Sequence, residues 1–205
     1  MSIPDNMELI CLYRIDENLL KQLYLITISR ILQQMIASSP EALDYNNLTV
    51  FDSYDIPPIS ISDYLVRIMS YSRASSRNMV MGLSFIDKLS NDEDCPVNLT
   101  RHNVHRLLWV SIMVAAKFYE DFYLDNDSWG RIAGLTLQEI NRLERKFLAY
   151  INFDINTKID WFMNYVQLLL SYAVENNIVD AEIAQGILKS IVDATVIEVK
   201  DSEID

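Results

Sequence analysis

Apolar side chains recur along most of this chain at helical spacing, and the stretches that carry them predict a succession of helices. One stretch differs from the rest. From Leu107 to Phe118, within Asn103–Glu120 (NVHRLLWVSIMVAAKFYE), only Ser111 and Lys117 interrupt the apolar run. At about 100° per residue these side chains point all round the axis, the signature of a helix enclosed by others. The run is shorter than the roughly 20 apolar residues of a membrane span, so it predicts the centre of a helical bundle.

The remaining segments are amphipathic. Asp16–Ala37 predicts a helix with a stripe of Leu20, Tyr24, Ile28, Ile31 and Met35, widened by Leu19, Leu23 and Ile26 and ended by Ser38-Ser39-Pro40. Glu41–Ile59 is a connector broken at Asn46-Asn47 and Pro57-Pro58, with Val50-Phe51 and Ile56 laid extended over the core. Ser60, with Asp63 three residues on, caps a second helix bearing Tyr64, Leu65, Ile68 and Tyr71. A third helix, about Ser76–Leu89, shows Met79, Leu83 and Ile86 on one face with Gly82, which admits a close neighbour. Asn91–Pro96 is an acidic loop. After the central helix, Glu120–Trp129 (EDFYLDNDSW) reads as an acidic, aromatic loop, and Gly130–Gly134 as one short turn. Thr136-Leu-Gln-Glu139 is a capping box, followed by a stripe of Ile140, Leu143, Phe147 and Ile151. Asp160–Asn176 carries Trp161, Tyr165, Leu168, Leu169 and Tyr172 on one face. Asp180–Thr195 carries Ile183, Ile187, Ile191 and Ala194. Every assignable element is a helix, so the expected fold class is all-α.

Two charges break the pattern. Lys117 lies on the strip of the central helix that holds Val110 and Met113, and Glu144 lies between Leu148 and Ile151 on an apolar face. Ions in such places need a partner or a route to water. Three explanations stand: each charge snorkels to solvent, the two form an internal ion pair, or both face an interface.

Composition narrows the chemistry. The chain has 205 residues and a formal net charge of -12, with only 4 glycines and 5 prolines. Such acidity argues against binding nucleic acid, which needs clustered Lys and Arg. Cys11 and Cys95 are far apart, and His102 and His105 have no ligand cluster beside them, so no metal or other cofactor is expected. Asp121, Asp125 and Asp127 alternate like part of a calcium loop, but the glycine and glutamate such a loop requires are missing. Nucleophile elbows, phosphate loops and HExxH are absent, which argues against an enzyme. MSIPDNMELICLY lacks the layout of a signal peptide, so cytoplasm or nucleus is the expected location, with no membrane partner.

Several ordered segments are similar to the cyclin box: PPISISDYLVRIMSY (57–71), FIDKL (85–89), NVHRLL (103–108), MVAAKFYED (113–121) and INRLERKFL (140–148). Within that family the chain most resembles the P/U-type group, which includes the plant U-type cyclins and the phosphate-pathway cyclin of yeast. The resemblance covers about residues 57–166. It implies a single five-helix cyclin box at 60–153, preceded by an arm (1–15) and a helix with its connector (16–59). One or two helices and an acidic tail follow (154–205). It also implies a regulatory subunit that binds and activates a cyclin-dependent serine/threonine kinase, with a kinase inhibitor protein as a further partner. In the family a lysine at the position of Lys117 and a glutamate at that of Glu144 contact the kinase. Phe118, Tyr119, Asp121 and Leu148 are placed beside them, and Asp87 matches a structural acid. The arginine that usually partners that acid aligns near Pro58, so Arg67 or Arg73 is expected to stand in. A cyclin-box scaffold, or a transcription-factor-like interaction module without kinase activation, is the alternative.

Overall fold

The computed structural model describes residues 16–202 apart from 38, 40–42, 44, 93 and 94. The arm expected over Met1–Tyr13, with Cys11, and the side chains of the acidic tail (Glu198, Asp201, Glu203, Asp205) lie outside the described residues. Eight helices are described: α1 (Glu17–Ala37), α2 (Ile61–Tyr71), α3 (Ser76–Ser90), α4 (Val104–Tyr119), α5 (Asn126–Ala133), α6 (Leu137–Tyr150), α7 (Ile159–Glu175) and α8 (Ala181–Ser202). No strand occurs among the described residues, so the fold is all-α, consistent with a cyclin box carrying extra helices at both ends.

Every residue of α4 from Leu107 to Ala116 is buried, as its all-round apolar pattern requires. It shares the centre with α3, which is buried without a break from Asn78 to Ile86. Gly82 allows the two to touch: a Cβ there would lie 2.9 Å from Ile112 Cγ1 and 3.3 Å from the Ile112 backbone nitrogen. The hydroxyls buried in this seam donate within their own helices, Ser84 to Met81 O at 2.8 Å and Ser111 to Leu108 O at 2.9 Å, so none is left unsatisfied.

The other helices wrap this pair. Ser60 Oγ accepts from Asp63 N at the start of α2, and Thr136 and Glu139 close the capping box of α6. The α6 stripe of Ile140, Leu143, Phe147 and Ile151 is buried throughout. In the connector, Phe51 is fully buried, its ring edge-on to Phe147 at 6.3 Å, while Ile56 stays exposed. His102 O accepts from Ser53 N at 3.0 Å and Arg106 donates to Asp52 O at 3.0 Å, holding this segment down.

Three expected faces are rotated. In α1 the buried set is Leu20, Leu23, Tyr24, Ile28 and Leu32, leaving Leu19, Ile26 and Met35 exposed. In α7 it is Val166, Leu169, Leu170 and Ala173, leaving Trp161 and Leu168 exposed. In α8 Ala184 and Ile187 are buried and Ile183 is not. Met35, Leu168, Tyr165 and Tyr172 instead line a cleft of about 420 Å³ where α1, α3 and α7 meet. Tyr71 of α2 is also exposed.

Candidate functional site

Lys117 occupies the last turn of α4, where a cation is favoured by the carbonyl end of the helix dipole. Glu144 lies midway along α6. Packing of α6 beside α4 brings Lys117 Nζ to 2.5 Å from Glu144 Oε1, with the two side chains 23% and 16% exposed. Each charge that looked misplaced on its own helix is thus paired with the other. Asn126 Nδ2 donates to the second oxygen, Glu144 Oε2, at 2.8 Å.

The pair is not saturated. An ammonium has three donors and an ionised carboxylate about four acceptor positions. At their distances one of the former and two of the latter are used. What remains is hydrogen-bonding capacity that the two side chains do not use on each other or on Asn126.

Around this pair the sequence-derived residues divide. Phe118 is half-exposed, Asp121 lies exposed in the loop after α4, and Leu148 is half-buried. Tyr119 is committed to the fold: its hydroxyl donates to Ile155 O at 2.9 Å and pairs with Thr157 Oγ1 at 2.7 Å. Its ring carries the Arg77 guanidinium 4.7 Å from the centroid, and that guanidinium also faces Phe162 at 5.6 Å. Tyr119 therefore pins the α6–α7 connector to the end of α4. Asp87 lies apart from the pair. It accepts from the Tyr165 hydroxyl and from Asn91 Nδ2 at 2.9 Å, so α7, and not Arg67 or Arg73, supplies its partner. Burial, followed by the hydrogen bond to Asp87, pushes the Tyr165 hydroxyl pKa well up.

Three features escaped the sequence. The first is α5, which begins inside the segment read as a loop. Asp125 is its N-cap, accepting from Ser128 N at 2.8 Å, and that hydrogen bond holds the Asp125 carboxyl below its ordinary pKa. Gly134, at φ +73°, ends it. Asp125 and Gly134 at these offsets were the available signals. The second is Asn126, the first residue of α5. The third is Phe153, two residues before the Ile155 carbonyl that Tyr119 grips. It is 67% exposed and has φ 54°, beside Asn152 at φ 55°. A bulky residue in the left-handed region is strained, and such strain gathers at functional sites. Phe122 and Tyr123, in the loop that follows α4, and Trp161 in α7 are also exposed.

Among the described residues no group of three His, Cys, Asp or Glu could hold a metal ion, and no helix is long and apolar enough to cross a membrane.

A family model described as Cyclin matches residues 20–155. Cyclin-U4-1 of Arabidopsis thaliana is 34% identical over 129 residues, which is 62% of this chain and 63% of that protein. The PHO85 cyclin-like protein psl1 of Schizosaccharomyces pombe is 30% identical over 141 residues, 69% of this chain and 58% of its own. Cyclin-P3-1 of Oryza sativa subsp. japonica is 30% identical over 145 residues, with 69% and 61% covered. The chain therefore spans less than two thirds of the length of these relatives. The family match starts within α1, well before the segment at Pro57 where the recognisable motifs begin.

Proposed function

The chain belongs to the cyclin family, and from that premise we propose that it is a regulatory subunit that binds and activates a cyclin-dependent serine/threonine kinase. The observation that carries this reading is the largely sheltered Lys117–Glu144 pair, with Phe118, the residue after Lys117, left exposed. Apolar surface supplies affinity, and a fixed pair of opposite charges supplies register by satisfying partner polar groups that would otherwise be buried unpaired. The similarity to plant U-type cyclins and to a protein named as PHO85 cyclin-like supports a P/U-type partner preference.

The mechanism is a population shift. A protein kinase is active when its αC glutamate pairs with its β3 lysine, which requires αC to sit inward. A subunit that binds the inward state better than the outward one moves the equilibrium by its differential affinity. Lys117 and Glu144 meet polar groups at αC and the adjoining loop, while Phe118, Leu148 and Phe153 pack on the helix itself. Catalysis stays with the kinase.

Affinity capture with tagged wild-type chain and the Lys117→Ala/Glu144→Ala double variant, read by mass spectrometry, tests binding. A serine/threonine kinase recovered with the wild type and lost with the variant supports the reading. No kinase in either overturns it. Phosphorylation assays with and without the chain then separate an activator from a scaffold that binds without activating.

A further inference from the structure

Asn126 leaves one of its own polar atoms unsatisfied in order to reach Glu144. Its Nδ2 donates to Glu144 Oε2 at 2.8 Å and to Asn141 Oδ1 at 2.7 Å. Its Oδ1 is buried with no hydrogen-bond partner. Turning the amide over would set that oxygen against two acceptors, so Glu144 and Asn141 dictate its orientation. The start of α5 does not depend on this arrangement, because the Asp125 carboxylate already accepts from Ser128 N. The amide is thus spent on the carboxylate of the neighbouring helix.

We propose that Asn126 is a positioning residue of the kinase-binding site, holding the Glu144 carboxylate in place while Lys117 engages the partner. The proposal rests on the kinase-binding reading above. In the free chain Glu144 is held at both oxygens, by Lys117 at Oε1 and by Asn126 at Oε2. A glutamate's terminal torsion is otherwise broad, so a carboxylate held at one point pivots. When a partner acceptor draws the Lys117 ammonium toward itself, the hold on Oε1 weakens and that oxygen becomes available to a partner N–H. The bond from Asn126 to Oε2 then sets the direction from which Oε1 is presented. Lys117 contributes charge and Asn126 contributes aim. Asn141, one turn before Glu144 on α6, anchors Asn126 in turn.

The test measures equilibrium binding of the whole chain to a purified, immobilised cyclin-dependent kinase of the type that pairs with P/U-type cyclins. The variants are Asn126→Ala, Asn126→Asp and Glu144→Ala, singly and combined, with thermal melting alongside. Loss of a hydrogen bond to a charged group corresponds to about a tenfold weaker Kd for Asn126→Ala. Asn126→Asp is expected to bind more weakly still, since it sets a carboxylate against a carboxylate. The same repulsion acts in the free chain, but an acid also favours the helix dipole at the first turn of α5, so melting falls by less than for Asn126→Ala while binding falls by more. A residue needed only to start α5 would show the opposite order. In the Glu144→Ala background neither Asn126 change is expected to alter Kd further. Additive effects in that background, or Asn126→Asp binding as tightly as wild type, would overturn the proposal. Wild-type binding that Glu144→Ala leaves unchanged would overturn it together with the role of Glu144. Absence of wild-type binding would overturn the kinase-binding reading itself.

Discussion

Lys117 and Glu144, 27 residues apart in sequence, meet as an ion pair at 2.5 Å between the end of α4 and the middle of α6. Removing either side chain is expected to weaken kinase binding by about 2 kcal/mol or more, the range of interface hot spots. The free chain should lose only about 1 kcal/mol of stability, because the pair is partly solvated and neither residue fills the core. Kinase titrations and thermal melts on both single variants and the double variant check this. Wild-type affinity in the double variant would remove the pair from the interface.

Gly82→Ala is expected to destabilise the chain by about 1–3 kcal/mol, the usual cost of overpacking. The added methyl would meet Ile112 on the facing helix at 2.9 Å, and part of what it meets is backbone. Denaturant unfolding should show a lower midpoint with an unchanged slope.

Acid should destabilise the fold through His105. Its Nε2 faces Ile59 O at 2.9 Å, its Nδ1 is buried without a partner, and its ring stands edge-on to Tyr64. Burial lowers its pKa, outweighing the opposing effect of the Ile59 hydrogen bond. The neutral ring is therefore the folded form. As pH falls below about 6.5 the unfolded chain takes up the proton first, and stability declines until the folded-state pKa is passed. Melting temperature measured from pH 8 to 5 should fall more steeply for the wild type than for His105→Gln.

Phe153→Gly is expected to separate stability from binding. Glycine relieves the left-handed backbone at φ 54° and removes an exposed ring, so stability should hold or rise by up to about 1 kcal/mol. Kinase binding should weaken. A melt and a titration on the same sample decide it, and unaltered affinity would exclude Phe153 from the contact surface.

The parts of this architecture that were readable in the sequence are those where one helix reports on itself. An apolar run with no polar face marked α4, and a Thr–Glu box marked the start of α6. The face of α7 was misjudged because Trp161 and Leu168 sit at helical spacing yet stay exposed, Leu168 bordering a cleft that α1 and α3 leave unfilled. Lys117 and Glu144 stood out as charges on apolar strips, but their meeting depends on how α6 lies beside α4. Asn126 was invisible because its partner lies on another helix, and Phe153 because its strain follows from the way α6 ends. Tyr119 shows the limit of adjacency: it follows Phe118 in sequence, yet its hydroxyl and ring are spent on the α6–α7 connector.

Glu17, at the first turn of α1, gives its carboxylate to the backbone N–H of Ser76 at 2.6 Å and to the Ser76 hydroxyl at 2.7 Å. The start of α3, half of the central pair, is thereby closed by a residue 59 positions upstream. The family match begins at residue 20, just past that carboxylate. A fragment trimmed to the shared segment would keep the core residues of α1 and lose the clasp that fastens α1 to the centre.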